Sequence, residues 1–187
     1  MNEVLDAMAR RSACRAFLPT PVPTETLAAI AQAGLHAPSA VDRQPWRIIC
    51  VTDASLLHDL ETAGLGVLRE VDPAGADRIA SRGGRLLYGA PAVMILAEQQ
   101  IEGPYGPDLD VGILAAHIAL AAQSLGVNSC IAAMPGVGLN SPAGPGLRER
   151  LRIPDGFHFA LSVLLGYADG EPKRPHEIDP AKVITIA

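Results

Sequence analysis

Three groups of basic side chains are the residues of this sequence best suited to bind a charged ligand. They are Arg10, Arg11 and Arg15 near the N-terminus, Arg82 and Arg85 in the middle, and Lys173 and Arg174 near the end. Arginine presents a planar fork of N–H donors that matches the oxygens of a phosphate group. Two or three of these side chains would hold one phosphate if they converge. The alternative is that each is a solvated surface charge.

Residues 37–46 form a second candidate binding segment, with the sequence Ala-Pro-Ser-Ala-Val-Asp-Arg-Gln-Pro-Trp. Two prolines fix the backbone torsion φ seven residues apart, and the only tryptophan of the chain precedes a β-branched run. Between the prolines lie hydroxyl and amide groups and one basic side chain. This composition predicts a rigid loop that holds a planar polar ligand.

Other catalytic arrangements have little support. Gly136 and Gly138 lack the third glycine of a dinucleotide fingerprint, and no G-x-x-x-x-G-K-[ST] phosphate loop occurs. Ser39 stands in Pro-Ser-Ala rather than in Gly-x-Ser-x-Gly, and each lone histidine is interpreted as a packing or surface residue. Asp110 is interpreted as a charge that complements a helix dipole. A bound cofactor would therefore have to supply the reactive centre.

Length, charge and cysteine content limit the class of protein. The 187 residues suffice for one domain, or for one subunit that shares its core with a copy of itself. A net charge of -5 argues against nucleic acid as a partner. Cys14, Cys50 and Cys130 are far apart, which favours reduced thiols over disulfides or a zinc site. The longest apolar run, residues 111–127, is shorter than the roughly 20 residues of a membrane span, so we expect a soluble, cytoplasmic protein.

The elements that must position these residues follow from apolar periodicity and capping residues. Helices are predicted to begin near Val4, Thr24 (as the N-cap), Asp53, Asp108 or Asp110, and Gly146. Strands are predicted at residues 46–52, 91–97, 128–133, 157–166 and 182–186. We expect a mobile, glycine-rich excursion at residues 64–84, with a helical turn near residues 77–87, and a loop at residues 134–145. The alternation favours a three-layer α/β domain over residues 1–187, whose last strand is well placed to leave its own subunit.

Four stretches of the sequence resemble the FMN-dependent nitroreductase family. Residues 11–17, Arg-Ser-Ala-Cys-Arg-Ala-Phe, are similar to the family's N-terminal basic segment, and residues 37–46 resemble its Ala-Pro-Ser-x-x-Asn-x-Gln-Pro-Trp loop. Residues 88–93, Tyr-Gly-Ala-Pro-Ala-Val, are similar to its Tyr-Gly-Ala-Pro strand entry. Residues 165–167, followed by Lys173 and Arg174, resemble its last core strand and basic tail. The four matches occur in the family's order and span nearly the whole chain.

The resemblance implies an α+β fold, a three-layer α/β/α sandwich with a mixed antiparallel sheet. It also implies an intertwined homodimer with an exchanged C-terminal strand, and one FMN in each of two interface clefts. The FMN-binding residues implied by the resemblance are Arg11, Ser12, Arg15, Pro38, Ser39, Ala40, Asp42, Arg85, Ala132, Ala133, Met134, Lys173 and Arg174.

The same resemblance implies a role for each group of residues. Arg11 and Arg15 would contact the phosphate and ribityl chain of FMN, together with Lys173 or Arg174. Arg85 would contact the pyrimidine edge of the flavin. Residues 38–42 would lie against the flavin of the partner subunit, and backbone groups of residues 132–134 would face the ring near N5.

The sequence departs from the family's pattern within two of the four stretches. In an ungapped match, Ser12 replaces a second basic residue and Ala13 replaces a serine, whereas a one-residue insertion keeps Arg10, Arg11 and Ser12 in place. Asp42 stands where the family has asparagine. An ionised carboxylate donates no hydrogen bond and repels a reduced, anionic flavin.

The activity implied by the resemblance is a ping-pong oxidoreductase reaction. NAD(P)H would reduce bound FMN, which passes electrons to a nitroaromatic, a quinone or a similar small acceptor, with no catalytic side chain. Two alternatives stay open. One is a specialised branch of the fold that destroys flavin, dehalogenates or acts on a dedicated metabolite, and the other is a flavin-binding protein without turnover.

Overall fold

The computed structural model describes residues 2–99, 101, 108–171 and 177–186. The α-helices within them are Glu3–Arg10 (α1), Thr24–Gly34 (α2), Ala54–Val71 (α3), Pro73–Ala80 (α4), Asp108–Ser124 (α5), Pro135–Leu139 (α6) and Gly144–Arg150 (α7). The strands are Trp46–Val51 (β1), Ala92–Gln99 (β2), Asn128–Ala132 (β3) and Phe157–Gly166 (β4). Short 3-10 helices lie at Ala40–Asp42 and Pro180–Lys182.

The four strands form one sheet in the order β1-β2-β4-β3, and each neighbouring pair is antiparallel. β1 begins with Trp46 opposite Glu98 near the end of β2. A β-bulge follows Leu96, where β2 pairs with β4. On the outer edge of β3, the N-terminal segment adds an isolated parallel bridge between Ala13 and Ser129. β1 and β3 are therefore the two edges of the four-stranded sheet.

Two hydrophobic cores lie on opposite faces of the sheet. Successive side chains of a strand point to opposite faces, so Met94 of β2 and Val163 of β4 pack with α2 and α5, whereas Val93 and Leu164 pack with α3, α6 and α7. We call these the α5-side core and the α3-side core. The helix, sheet and helix layers confirm the predicted α+β sandwich.

The long helix α5 buries one face in the α5-side core. Its fully buried residues are Val111, Leu114, Ala115, Ile118, Ala119 and Ala122. As predicted, this apolar run belongs to a buried helix. No helix in the described part of the chain is long and apolar enough to cross a membrane.

The region predicted as a glycine-rich excursion, residues 64–84, is largely helical. α3 continues to Val71, and Asp72 caps α4 because its Oδ1 accepts a hydrogen bond from the Gly75 N–H at 2.9 Å. Leu60, Gly64 and Leu68 are buried at helical spacing on one face of α3. Burial of this face outweighs the low helix propensity of glycine, which is why the prediction was wrong.

Two further predictions need correction. The predicted loop at residues 134–145 contains α6 and the start of α7. Thr24 is the first residue of α2 rather than its cap, and Pro23 occupies the N-cap position. Residues 180–182 form a 3-10 helix, and the predicted last strand, residues 182–186, pairs with no strand among the described residues of its own chain, so its exchange with a partner subunit stays a prediction. Val183, Ile184 and Ile186 are largely exposed there.

Candidate functional site

The N-terminal basic segment lies beside the start of β3 and the end of β4. The Cys14 N–H donates to the Ser129 carbonyl at 2.9 Å, and the Leu18 N–H donates to the Tyr167 carbonyl at 2.8 Å. The Asp169 N–H returns a bond to the Ala16 carbonyl at 2.9 Å. These backbone bonds fix Arg11, Ser12 and Arg15 at the β3 edge of the sheet.

The arginines of this segment stand close to a buried thiol of β3. Burial raises the pKa of the Cys130 thiol above its ordinary value, while the positive charges of Arg15 and, more weakly, Arg11 lower it. Neither guanidinium forms an ion pair with any described residue, whereas Arg10 pairs with Asp6. Two neighbouring arginines without anionic partners in the described chain make an electropositive site suited to a phosphate group.

Arg85 lies on the same side of the sheet. Its guanidinium covers Gly89, at which a Cβ would collide with it, and Gly89 has a φ of 76°. The next residue, Leu86, packs in one small cluster with Met134, just after β3. The Phe17 N–H donates to the Tyr88 carbonyl at 3.2 Å. The segment that contains Arg85 therefore touches both the N-terminal segment and the residues that follow β3.

Arg85 also lines the rim of a cavity of about 560 Å³. His58 and Glu61 of α3 contribute to the same wall, and Glu61 Oε1 accepts a hydrogen bond from the Leu87 N–H at 2.9 Å. Pro19 and Pro21 of the proline-rich segment also line this cavity. Residue spacing did not predict that His58 and Glu61 would line a cavity with Arg85.

The loop of residues 37–46 belongs to the opposite face. Ala37 and Trp46 at its ends are part of the α5-side core. Ser39 Oγ accepts a hydrogen bond from the Gln44 N–H at 2.8 Å, and Asp42 Oδ1 accepts one from Gln44 Nε2 at 2.9 Å. The polar side chains of the loop are thus used partly to fix its own shape.

The backbone of this loop is strained. Val41, Asp42 and Gln44 have φ values of 49°, 56° and 48°, in the left-handed region that favours glycine. Asp tolerates this conformation, but a β-branched valine there is unfavourable by about 1–2 kcal/mol. The valine side chain is 88% exposed, so burial of its own side chain does not offset the strain. Such strain persists only where surrounding contacts hold the backbone.

The predicted site residues thus fall into two groups. Arg11, Ser12, Arg15 and residues 132–134 lie at the β3 edge on the α3 side, and Arg85 lies on the same side in the cavity that Thr52 and Ala54, just after β1, also line. Residues 38–42 precede β1, the other edge strand. β1 lies three inter-strand spacings, of about 4.8 Å each, from β3. A single chain does not bring the two groups together. Lys173 and Arg174 lie outside the described residues.

Sequence reasoning missed a contact of Asp110. Its Oδ1 accepts a hydrogen bond from the Ala40 N–H at 3.1 Å, across 70 positions of sequence. Asp110 is only 5% exposed, so it is more than a surface charge at a helix N-terminus. The sequence showed an aspartate in the first turn of an apolar helix. Its hydrogen-bond partner, in a distant loop, could not be predicted from sequence spacing.

A second buried carboxyl was also missed. Oε1 of Glu98 lies 2.6 Å from Nε2 of His158, in a pair at the start of β4. No group of three or more histidine, cysteine, aspartate or glutamate side chains in the described ranges is arranged to hold a metal ion.

The comparison with known proteins decides the family. A model described as "Nitroreductase family" matches residues 7–167, most of the chain. The chain belongs to the nitroreductase family. The resemblance inferred from the four sequence stretches, and the class of nitroreductase-like oxidoreductase, are thereby confirmed.

Relatives of this nitroreductase-family chain match its sequence or its fold along most of its length. A Desulfitobacterium hafniense nitroreductase solved with bound FMN has 38% identity and a TM-score of 0.93, with 100% of both chains covered. Nitroreductase NfnB of Mycolicibacterium smegmatis is 32% identical, over 85% of this chain and 80% of its own. A Methanothermobacter thermautotrophicus protein with the provisional name NADH dehydrogenase/NAD(P)H nitroreductase is 28% identical, over 97% of this chain and 85% of its own.

Proposed function

We propose that the chain is a homodimeric, FMN-dependent oxidoreductase that uses NAD(P)H. The observation that carries the proposal is that Arg11 and Arg15 both lie at the β3 edge, near Cys130, without an anionic partner in the described chain. The FMN-bound relative with 38% identity supports the choice of this anionic ligand.

The residues of the β3 edge fit the different parts of FMN. Arg11, Arg15 and the Ser12 hydroxyl supply donors for the phosphate, with Lys173 or Arg174 added from the tail. Beyond β3, the backbone of residues 132–134 offers polar groups to the ring system, and Arg85 offers a cationic donor. The unpaired arginines and this donor set therefore fit the cofactor.

Bound FMN would supply the chemistry, accepting two electrons from NAD(P)H and then passing them to a nitroaromatic, a quinone or a similar acceptor in a ping-pong cycle. The protein side chains would bind and orient the cofactor. The arginines would hold the phosphate, the residues after β3 would contact the ring system, and the rigid loop at residues 38–42 of a partner subunit would help to exclude water from it.

The separation of the two groups of site residues supports a homodimer. Residues 38–42 are too far from the β3 edge of their own chain, so a partner subunit would bring its loop to this edge. Apolar side chains are available for such an interface. Those exposed are Val4, Leu5 and Met8 of α1, Leu109 and Ile113 of α5, and Ile178, Val183, Ile184 and Ile186 of the C-terminal segment. The C-terminal segment would pair with the partner as an exchanged strand.

An FMN titration of the apoprotein tests this proposal. Quenching of flavin fluorescence should saturate at one FMN per subunit, and the mass in solution should be that of two chains. The holoprotein should oxidise NAD(P)H faster than the same concentration of free FMN. Saturable binding without faster oxidation would instead support the flavin-binding protein without turnover, and no binding would contradict both.

A further inference from the structure

Asp110 is placed to control the shape of the loop that precedes β1. This loop, residues 37–46, contains the three left-handed residues Val41, Asp42 and Gln44. Two of its hydrogen bonds tie it to the body of the chain. The Gln99 N–H donates to the Pro45 carbonyl at 2.8 Å, and Asp110 Oδ1 accepts from the Ala40 N–H at 3.1 Å. The first bond fixes the end of the loop, and the second fixes its middle.

A helix dipole alone does not account for this aspartate. An acidic residue in the first turn interacts favourably with the dipole while fully solvated, and Asp108 in the same turn is exposed. Asp110 is instead 5% exposed, and its buried Oδ2 has no hydrogen-bond partner among the described residues. Burial of a carboxylate is costly unless it is hydrogen-bonded. The bond to Ala40 is therefore a specific contact of a buried acceptor.

We propose that Asp110 is a positioning residue, which holds residues 38–42 in the strained conformation that covers the FMN of the partner subunit. The inference rests on the proposed function for its consequence in FMN binding. Its local part, that the carboxylate holds the loop, does not need FMN. An aspartate is suited to this role because its acceptor oxygen reaches the main chain of the loop, so the bond does not depend on the Ala40 side chain.

Tryptic cleavage after Arg43 measures the loop directly in the apoprotein. The variant Asp110→Ala removes the acceptor, and the native-state rate of cleavage at the 43–44 bond should rise at least tenfold. Asp110→Asn retains an acceptor oxygen, so its rate of cleavage at the 43–44 bond should stay within about twofold of the wild-type rate. Ala40→Pro removes the donor and leaves α5 intact, and Ser39, with φ −137° and ψ 159°, is already in the conformation preferred before proline. This second variant should also be cleaved faster.

The matched control is Asp72→Ala, which removes a capping aspartate from α4 and does not touch the loop. It should lower stability without a specific rise in cleavage after Arg43. Wild-type cleavage rates in both Asp110→Ala and Ala40→Pro would overturn the inference. So would equally fast cleavage of Asp110→Asn and Asp110→Ala, because charge rather than the hydrogen bond would then position the loop.

FMN affinity tests the functional part. The dissociation constant for FMN should rise at least tenfold in Asp110→Ala, stay within about twofold in Asp110→Asn and be unchanged in Asp72→Ala. Unchanged affinity in Asp110→Ala, with faster cleavage, would overturn the positioning role while leaving the proposed function standing. If the wild type binds no FMN, the proposed function fails and the cleavage rates still decide whether Asp110 holds the loop.

Discussion

Nε2 of His158 lies 2.6 Å from Oε1 of Glu98, a side chain that is 3% exposed at the end of β2. Burial is the main cause that raises the pKa of Glu98, and the neighbouring Asp108 carboxyl raises it further, while His158 lowers it. The net direction is upward. Folded protein therefore holds the Glu98 proton more tightly than unfolded protein does.

This raised pKa predicts a pH dependence of stability. The contribution of Glu98 is fully present below its unfolded pKa and is lost as the pH rises through its raised folded pKa. Glu98→Gln cannot ionise, so the stability of this variant relative to the wild type should increase between pH 4 and pH 7. Urea unfolding at several pH values measures the difference. Glu25→Gln, on an exposed turn of α2, is the control, and a difference for Glu98→Gln that does not change with pH would contradict the assignment.

Arg15→Ala should weaken FMN binding. A charge-assisted hydrogen bond contributes roughly 1.5–3 kcal/mol, so the dissociation constant should rise about tenfold to 100-fold. The loss should shrink at high salt because screening already weakens the wild-type contact. Fluorescence titration at two salt concentrations measures both effects. Arg69→Ala, an exposed arginine of α3, should leave the affinity unchanged. Equal affinities for Arg15→Ala and wild type would remove Arg15 from the phosphate site.

Asp42→Asn should raise the reduction potential of bound FMN. Removal of a negative charge near the flavin favours the reduced, anionic form, and a shift of about 15–30 mV corresponds to roughly 0.7–1.4 kcal/mol for a two-electron couple. The asparagine keeps the acceptor for Gln44 Nε2 and tolerates the φ of 56°. A spectroscopic redox titration measures the potential. An unchanged potential, equal to that of the exposed-site control Asp155→Asn, would show that the family departure at Asp42 is neutral.

Val41→Asn should stabilise the protein. Asparagine adopts left-handed backbone with less strain than valine, so the free energy of unfolding should rise by about 1 kcal/mol. Little burial is lost, because the valine side chain is 88% exposed. Chemical denaturation of the apoprotein measures the change. Val71→Asn, at a 71% exposed position with ordinary helical backbone, should change stability by less than about 0.5 kcal/mol. A destabilised Val41→Asn would mean that the valine makes a contact outside its own chain.

The elements that could be predicted from the sequence are those with a strong local signal. β4 was predicted at its observed bounds of Phe157–Gly166, and the cap of α3 at Asp53 is confirmed by bonds from the Ser55 and Leu56 N–H groups. The helices at residues 64–84 were missed because their glycines argue locally against helix. The buried leucines that decide the outcome act through tertiary packing.

The residues of the candidate site also divide into those that the sequence could nominate and those whose partners it could not. Arg11, Arg15 and Arg85 could be nominated from residue type and from the family resemblance, and the structure places Arg11 and Arg15 at the β3 edge and Arg85 in a cavity on the same face of the sheet. Asp110 and Glu98 could not be assigned their partners, because Ala40 and His158 lie 70 and 60 positions away. Sequence spacing carries no information on which distant loop a buried carboxylate will meet.

The most direct test of the central claim is an anaerobic titration of the FMN-loaded dimer. After gel filtration to remove free flavin, one equivalent of NADH or NADPH per bound FMN should bleach the flavin absorbance. One equivalent of a quinone, added once the nicotinamide has been removed, should restore it. Protein that leaves the column without FMN, or whose flavin absorbance does not respond to either nicotinamide, would contradict the account.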